Sequence, residues 1–331
     1  MKVAEQQAPA GPRGAAAELV AQYRIMCRIR LFEENVLELK LSGQIAGSVH
    51  LCIGQEAIPV GAVSALDLTR DVVFATYRGH GWAIACGCGL TGLFGELLGR
   101  SCGVNGGRGG SAYLSDPAHG FYGENSVVGA GVPHAVGAAL ASRYDHSGRV
   151  ALSVCGDGAM NQGAVHEAMN MAAAMKLPVI FVVENNGYAE LTPAADMAGN
   201  PNLFQRAAAY GFAGLRINGN DPGAVADAVR WSHGRARDGL GPTLIEAMTQ
   251  RLVGHYVGDP EHYRPSGEVA AATAREPLAV ARWSLVDEGT AGDDLAAIMT
   301  SERQIVEACA KQALSAPCAD PATVRQWLYA S

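Results

Sequence analysis

Runs of apolar residues separated by polar turns mark the middle of the chain. Residues 150–154 are apolar, short and partly β-branched, which predicts a buried strand. Residues 161–175 carry apolar or small residues at a helical period, and Pro178 ends that helix. Residues 179–183 form a second apolar run of strand length. The pattern predicts a βαβ unit, and since such units are right-handed and parallel, the turns after both strands should meet at one sheet edge.

The same alternation continues on both sides of this unit. Helices are predicted over residues 19–41, 54–66, 133–143, 203–210 and 222–237, with others before Leu98. Strands are predicted over residues 71–75, 215–217 and 242–248. The alternation is typical of an α/β fold, with a mostly parallel sheet and helices on both faces.

The pattern also suggests three segments along the chain. Residues 1–16 are expected to be a disordered tail, and residues 17–266 an α/β domain. Residues 267–331 are charged and alanine-rich with helical spacing from about residue 276, so we expect C-terminal helices that pack on the domain or on a partner subunit.

Polar side chains follow both strands of the βαβ unit. Asp157 lies between Gly156 and Gly158, which let a ligand approach the backbone, and Asn186 ends the second strand. Mg²⁺ favours few carboxylates, several neutral oxygens and the phosphate oxygens of a ligand. The two turns therefore indicate a magnesium–diphosphate site, whereas a sharp turn beside an asparagine-rich strand end is the purely structural alternative.

Other turns carry candidates of differing strength. Arg78 follows a predicted strand beside a glycine, where a guanidinium can bind a phosphate through two hydrogen bonds. His50, taken alone, is more typical of a core histidine. The glycine-dense residues 99–115, including Arg108, lack the Lys-Ser/Thr of a phosphate loop, so a flexible turn region is expected. The polar loop at residues 251–260 follows a strand, where binding sites concentrate.

Composition narrows the function classes. With a net charge of −7 and 25 basic residues, the chain lacks the excess of positive charge that is typical of nucleic-acid-binding proteins. The eight cysteines form no CxxC pair, and the close pair Cys86 and Cys88 lacks partners for a zinc site, so buried free thiols in a reducing cytoplasm are expected. We expect no membrane span, because no apolar run approaches about 20 residues. The N-terminus has no hydrophobic signal segment, so a cytoplasmic location is expected.

The Gly-Asp-Gly turn, followed by a helix, a strand and Asn185-Asn186, resembles the thiamine diphosphate signature. From about Tyr23 to Arg264 the chain is similar to the α subunit of two-subunit first components of pyruvate, branched-chain and acetoin dehydrogenases. The stretch FVVENNGYAE at residues 181–190 is most similar to the acetoin branch. The resemblance implies the diphosphate-binding half of a thiamine diphosphate-binding fold, with thiamine diphosphate and Mg²⁺ as cofactors.

The resemblance also implies roles for individual residues. The implied metal ligands are Asp157, Asn186 and the backbone carbonyl of Tyr188. The implied cofactor-binding residues are Tyr77, Arg78, Ser126, Val128, Gly156, Asp157, Gly158, Ala159, Asn186, Tyr188, Arg251 and His255. The implied catalytic residues are His50, His80 and His255, as proton or hydrogen-bond donors around the bound carbonyl. Tyr256 stands where some members carry a regulatory serine, and His134 receives no role.

In the two-subunit dehydrogenases that this chain resembles, a β subunit supplies the glutamate that activates the cofactor. We therefore expect an α₂β₂ enzyme that cleaves a C–C bond next to the carbonyl of a small-molecule donor (pyruvate, acetoin or a related compound). The two-carbon acyl unit is expected to pass to a lipoyl carrier protein. One alternative is a transketolase-like subunit that transfers a glycolyl unit from a ketose phosphate to a lipoyl carrier. An alternative of another class is a non-catalytic scaffold subunit.

Overall fold

A parallel sheet of six strands forms the centre of the structure, a computed structural model that describes residues 16–327. The strands in chain order are β1 (Val72–Phe74), β2 (Phe121–Gly123), β3 (Ala151–Gly156), β4 (Val179–Asn185), β5 (Tyr188–Ala189), β6 (Thr192–Pro193), β7 (Ala213–Asn218) and β8 (Thr243–Met248). The sheet order is β2-β1-β3-β4-β8-β7, with every neighbouring pair parallel, and β5 and β6 form a separate antiparallel hairpin. The predicted tail at residues 1–16 lies outside the described residues, apart from its last residue.

Helices surround this sheet. They are α1 (Ala16–Leu41), α2 (Ala57–Ser64), α3 (His80–Ala85), α4 (Leu90–Leu97), α5 (Gly131–Asp145), α6 (Gly163–Ala174), α7 (Ala194–Met197), α8 (Arg206–Ala209), α9 (Pro222–Arg237), α10 (Glu268–Thr273), α11 (Pro277–Asp287) and α12 (Gly292–Ser315). Short 3₁₀ turns occupy Gly110–Ala112, Pro117–His119, Gly158–Asn161, Leu203–Gln205 and Pro321–Trp327.

The core lies on both faces of the sheet, as strand β4 demonstrates. Ile180 and Val182 belong to one buried cluster, which also contains side chains of α1, α2, α4, α9 and α12. Phe181 and Val183 belong to a second cluster, shared with α5 and α6. Successive strand residues point to opposite faces, so helices cover both. The predicted α/β class with a mostly parallel sheet is confirmed.

Several element boundaries differ from the sequence expectations. The helix expected from residue 54 begins at Ala57, because the Glu56 carboxylate turns back to accept the N–H of Gly54 at 3.1 Å and to pair with Arg30 at 2.7 Å. The helix expected from residue 161 begins at Gly163, after the 3₁₀ turn. Strand β2 was not predicted, since three residues ending in glycine give no periodic signal.

The glycine-dense segment, residues 99–115, is an ordered loop, whereas a flexible turn region was expected. The buried Glu96 carboxylate accepts backbone N–H groups of four loop residues: Asn105 (2.7 Å), Gly107 (2.8 Å), Gly109 (2.5 Å) and Gly110 (3.4 Å). A Cβ at Gly103 would lie 2.4 Å from Glu96 Oε2. The glycines therefore allow the backbone to wrap closely around one carboxylate.

The last helices pack on the first one. Glu302 of α12 is buried and pairs with Arg24 at 3.1 Å and Arg28 at 2.7 Å, both on α1. Leu295 and Val306 of α12 join the same buried cluster as α1. The proposed division of the chain at residue 266 stays a prediction. Within residues 16–327, no helix combines the length and the apolar character that crossing a membrane requires.

Candidate functional site

A cavity of about 340 Å³ opens at the carboxyl edge of the sheet. Its walls are the segments that follow β1, β2, β3, β4 and β8, together with the β5–β6 hairpin. The predicted cofactor-binding residues that line it are Tyr77, Arg78, Val128, Gly156, Asp157, Gly158, Ala159, Asn186, Tyr188, Arg251 and His255. Ligands bind at this edge in open parallel sheets, outside the carboxyl ends of the strands.

Arg78 joins the two loops that form one wall of the cavity. Its guanidinium donates to the carbonyl of Leu51 at 2.5 Å and to the carbonyl of His255 at 2.8 Å. Gly54 permits the approach of these loops, because a Cβ there would lie 2.6 Å from the carbonyl oxygen of Gln250. The two loops, distant in sequence, thus become one surface.

Arg78 and Arg251 give this wall its positive charge. Both are buried, at 5% and 2% exposure, and among residues 16–327 neither pairs with a carboxylate. Arg251 instead contacts His255, the carbonyl of Glu190 and the hydroxyl of Tyr263, while its Nε has no hydrogen-bond partner within the described range. Burial lowers the pKa of both guanidinium groups, but they stay charged. Buried cations without a carboxylate partner favour an anionic ligand.

An oxygen-rich corner of the cavity lies at the ends of β3 and β4. Asp157 is 4% exposed, and its Oδ2 has no hydrogen-bond partner among residues 16–327. Burial raises the pKa of its carboxyl group to about 6. Asn186 donates its amide to Gln55 at 3.2 Å, and its Oδ1 accepts the N–H of Tyr188 at 3.2 Å. The hydroxyl of Tyr188 fixes the hairpin by donating to Glu268 at 2.6 Å.

These donors suit a hard divalent cation. The unpartnered carboxylate oxygen of Asp157 and the amide oxygen of Asn186 are the ligand types that Mg²⁺ favours. A Cβ at Gly156 would meet nothing within 4 Å, so the backbone there leaves room for a ligand. At Gly158 it would lie 2.6 Å from the Cβ of Ala189, so only glycine fits beneath the hairpin. The residues present therefore fit a metal–diphosphate group.

Two of the three predicted catalytic histidines, His50 and His255, lie side by side, and His255 lines the cavity. The ring centroids of His50 and His255 are 5.0 Å apart, and His50 lies 4.5 Å from Tyr77. Burial, followed by the charge of Arg78, lowers the pKa of His50 to about 3 and that of His255 to about 4. Both rings are therefore neutral near pH 7, and Nδ1 of His50 has no hydrogen-bond partner in the part of the chain that the structure describes.

The structure places His80 away from these two rings. It is fully buried at the start of α3, where Nδ1 lies 2.8 Å from Glu33 and Nε2 lies 2.9 Å from Ser111 Oγ. Although burial alone would lower its pKa, the charge of Glu33 and the hydrogen bond to it raise that pKa to about 9. His80 thus connects α1 to the end of the glycine loop, and its catalytic role stays a prediction.

The segment before α5 also approaches the cavity. Ser126 is exposed and Val128 is 42% exposed, and the cavity wall includes Val128 but not Ser126. The predicted contacts of their backbones with an aminopyrimidine ring stay a prediction. His134, which received no role, lies on α5 with its ring centroid 6.3 Å from that of Phe74.

Sequence reasoning missed two buried polar residues here. Glu184 lines the cavity and accepts a hydrogen bond from Trp82 at 2.9 Å, and burial raises the pKa of its carboxyl group to about 7. Its position directly before Asn185 at a strand end was an available signal. Gln55, which is fully buried and holds Asn186, gave none, because its turn is distant from β4 in sequence.

Comparison with known proteins agrees with this geometry. The family model described as "Dehydrogenase E1 component" matches residues 23–322. The chain is 43% identical over 246 residues to the α subunit of acetoin:2,6-dichlorophenolindophenol oxidoreductase of Bacillus subtilis (strain 168), covering 74% of each chain. It is 41% identical over 297 residues to the pyruvate dehydrogenase E1 component subunit α of Rhizobium meliloti (strain 1021), covering 89% of this chain and 85% of the relative.

A further relative extends this likeness along nearly the whole chain. The α subunit of the acetoin oxidoreductase of Cupriavidus necator is 38% identical over 315 residues, covering 95% of this chain and 94% of the relative. The matched region contains the strands, the cavity and both arginines on its wall. The chain belongs to the dehydrogenase E1 component family.

Proposed function

We propose that this chain is the α subunit of a thiamine diphosphate-dependent dehydrogenase that acts on acetoin, pyruvate or a related carbonyl donor. The observation that carries the proposal is the charge arrangement of the cavity. Among the described residues 16–327, no carboxylate pairs with the buried Arg78 and Arg251, and one carboxylate oxygen of Asp157 has no hydrogen-bond partner. A diphosphate would pair with the two arginines, and a divalent cation bound to it would pair with the Asp157 carboxylate.

The cofactor position follows from these charges. Tyr77, Arg78 and Arg251 hold the diphosphate, while Asp157 and Asn186, with the carbonyl of Tyr188, hold Mg²⁺. When bound, thiamine diphosphate supplies a carbon nucleophile and an electron sink. The side chains of this protein orient it at the sheet edge, and the backbone at Ser126 and Val128 binds the outer end of the cofactor.

The two neutral histidines act at the reacting carbonyl. His255 lines the cavity, His50 packs against it, and both rings carry no charge near pH 7. Each offers an N–H donor to an oxygen on which negative charge develops, which lowers the energy of the transition state. His80 acts indirectly, because both of its ring nitrogens are engaged with Glu33 and Ser111.

A β subunit completes the enzyme. The names of the relatives designate α subunits, which supports a partner chain. We propose an α₂β₂ assembly in which the β subunit supplies the glutamate that faces the pyrimidine ring. Exposed Val127 (66%) and Val128 (42%) at the cavity mouth are available for that contact. A lipoyl carrier protein receives the two-carbon unit.

The identity of the donor substrate is inferred from the relatives and from one stretch of the sequence. The relatives reported above are named for acetoin and for pyruvate, which favours a dehydrogenase over a ketol-transferring subunit. The stretch at residues 181–190 favours acetoin. The intact charge arrangement of the cavity argues against a non-catalytic scaffold.

The test compares the lone chain with the chain plus its β partner. Both samples receive thiamine diphosphate and Mg²⁺, then acetoin, pyruvate, a branched 2-oxo acid or a ketose phosphate, with a dye acceptor. We expect no turnover by the lone chain and dye reduction by the pair with acetoin or pyruvate. In parallel, the mass of a lipoyl carrier reports the acyl group that it receives.

Two results would overturn parts of the proposal. Turnover by the lone chain would place the activating glutamate within this polypeptide. A glycolyl adduct from the ketose phosphate, with no adduct from acetoin or pyruvate, would replace the dehydrogenase with the ketol-transferring alternative.

A further inference from the structure

Cys88, Asp116 and His119 bring a sulfur, an oxygen and a nitrogen donor together at the β2 edge of the sheet. One ligand atom from each residue lies within 4.8 Å of the other two. Cys88 is buried, Asp116 is half-buried and His119 is exposed. The cluster therefore has a buried floor and one side open to solvent.

Ordered backbone holds these three side chains in place. Gly87, with φ +94°, turns the chain after α3 and presents Cys88. Asp116 and Phe121 exchange backbone N–H···O bonds of 2.8 and 3.2 Å, and the 3₁₀ turn Pro117–His119 lies between them. Since Phe121 begins β2, two of the ligands are anchored to the sheet edge. Such preorganisation is what a metal site requires.

The charges in the cluster suit a cation. Asp116 Oδ2 lies 2.7 Å from His119 Nδ1. A divalent ion bound by all three side chains offsets the negative charge of the Asp116 carboxylate and of the Cys88 thiolate that forms as the ion binds.

This cluster is separate from the proposed cofactor site. The cavity is lined by other residues. The donors also differ, because the cavity offers carboxylate and amide oxygens, which suit Mg²⁺. A thiolate with an imidazole selects borderline transition metals instead.

We propose that Cys88, Asp116 and His119 bind a divalent transition-metal ion, and that Zn²⁺ is the ion their donors fit best. Cysteine, histidine and aspartate are its usual protein ligands, and three of them leave one tetrahedral position for water. Binding breaks the S–H bond of Cys88, releases that proton to solvent and forms an S–Zn bond. The ion ties the turn after α3 to the segment before β2.

The partners of Cys88 explain why sequence alone did not find this site. Cys86 and Cys88 had no neighbouring ligand in sequence, and the fold supplies two from a separate segment. All eight cysteines are free in the structure, so the thiol is available.

The test titrates the metal-free full-length chain with Zn²⁺ in competition with a chromogenic chelator. We expect one Zn²⁺ per chain for the wild type and at least about tenfold weaker binding for Cys88→Ser and His119→Ala. His119 is exposed, with 49% of its side chain accessible, so its replacement leaves the fold intact. The matched controls are Cys102→Ser and Cys318→Ser, which replace exposed cysteines and should bind as the wild type does.

Cobalt gives an independent signal. With Co²⁺ in place of Zn²⁺, the wild type should show a thiolate-to-metal charge-transfer band that Cys88→Ser lacks and Cys102→Ser keeps. The proposal is overturned if the wild type binds no stoichiometric Zn²⁺, if His119→Ala binds it equally tightly, or if the band depends on Cys102 or Cys318.

Discussion

Arg251 donates a hydrogen bond to His255, with 2.9 Å between Nη1 and Nδ1. A guanidinium has donors only, so Nδ1 must accept and the proton of the neutral ring lies on Nε2. Because burial and the charges of Arg78 and Arg251 lower the pKa of His255 to about 4, the ring stays in this form near pH 7. His255 therefore brings an Nε2–H donor to the cavity wall.

Replacing Arg251 should change this tautomer in a way that depends on charge. Arg251→Gln removes a nearby cation, so the pKa of His255 should rise from about 4 towards its ordinary value of about 6.5. Arg251→Lys keeps the positive charge but loses the forked geometry of the guanidinium. The pKa of His255 should therefore stay low, while both tautomers of its neutral ring appear. Nitrogen NMR of histidine-labelled chain measures both quantities. A wild-type ring protonated on Nδ1 would contradict the assignment.

Asp157→Asn should separate stability from cofactor binding. Burial raises the pKa of Asp157 from 3.8 to about 6, so the cost of its ionisation to folding builds up between these two pH values and is fully present above them. At pH 8 the cofactor-free variant should therefore be more stable than the wild type, by about 3 kcal/mol. Its Mg²⁺-dependent affinity for thiamine diphosphate should fall by about 100-fold or more, since the single carboxylate ligand is lost.

Chemical denaturation and calorimetry measure these two effects. Asp287→Asn, which removes an exposed carboxylate, is the control and should change neither. Unaltered cofactor affinity in Asp157→Asn would refute the metal assignment.

His80 should stabilise the fold below pH 9. Its pKa is raised above the unfolded value, so its charged interaction with Glu33 is fully present below about pH 6.5 and is lost as pH rises through about 9. The stability difference between wild type and His80→Gln should thus shrink by about 2–3 kcal/mol between pH 6.5 and 9.5. Urea denaturation at several pH values measures this. His262→Gln, an exposed substitution, should show no such dependence, and a constant difference for His80→Gln would exclude a charged imidazole.

Glu96→Gln should loosen the glycine loop selectively. The amide NH₂ group would face backbone N–H groups that the carboxylate now accepts, at a cost of about 1–3 kcal/mol for each donor left unpaired. We expect proteases to cleave within residues 99–115 faster than in the wild type. Glu307→Gln, which replaces an exposed glutamate on α12, should leave the cleavage rate unchanged. Equal cleavage rates in wild type and Glu96→Gln would show that the carboxylate does not order the loop.

The sequence predicted the part of the site that parallel topology dictates. Asp157 and Asn186 directly follow two apolar strand runs, and the shared sheet edge brings their turns together. Arg78 was found for the same reason, because it follows β1.

Other relationships depend on side-chain direction, which the pattern does not contain. His80 is two residues from Arg78 in sequence, but it begins α3 and faces Glu33 in the interior. The many glycines at residues 99–115 suggested a flexible segment. The Glu96 carboxylate that orders this segment lies before it in sequence, and no motif identifies it as a hydrogen-bond acceptor for the loop. The meeting of His50 with His255 likewise follows from the loops that Arg78 joins.

The carbonyl groups that Arg78 holds lie 27 and 177 residues away along the chain. A nascent chain that has completed β1 to β4 therefore has a sheet edge but not yet the wall that attracts an anion. Contacts of such long range form at a high entropic cost, so this wall closes only once the segment after β8 has docked. The proposed cofactor site is therefore incomplete until the segment after β8, which supplies Arg251 and His255, has folded.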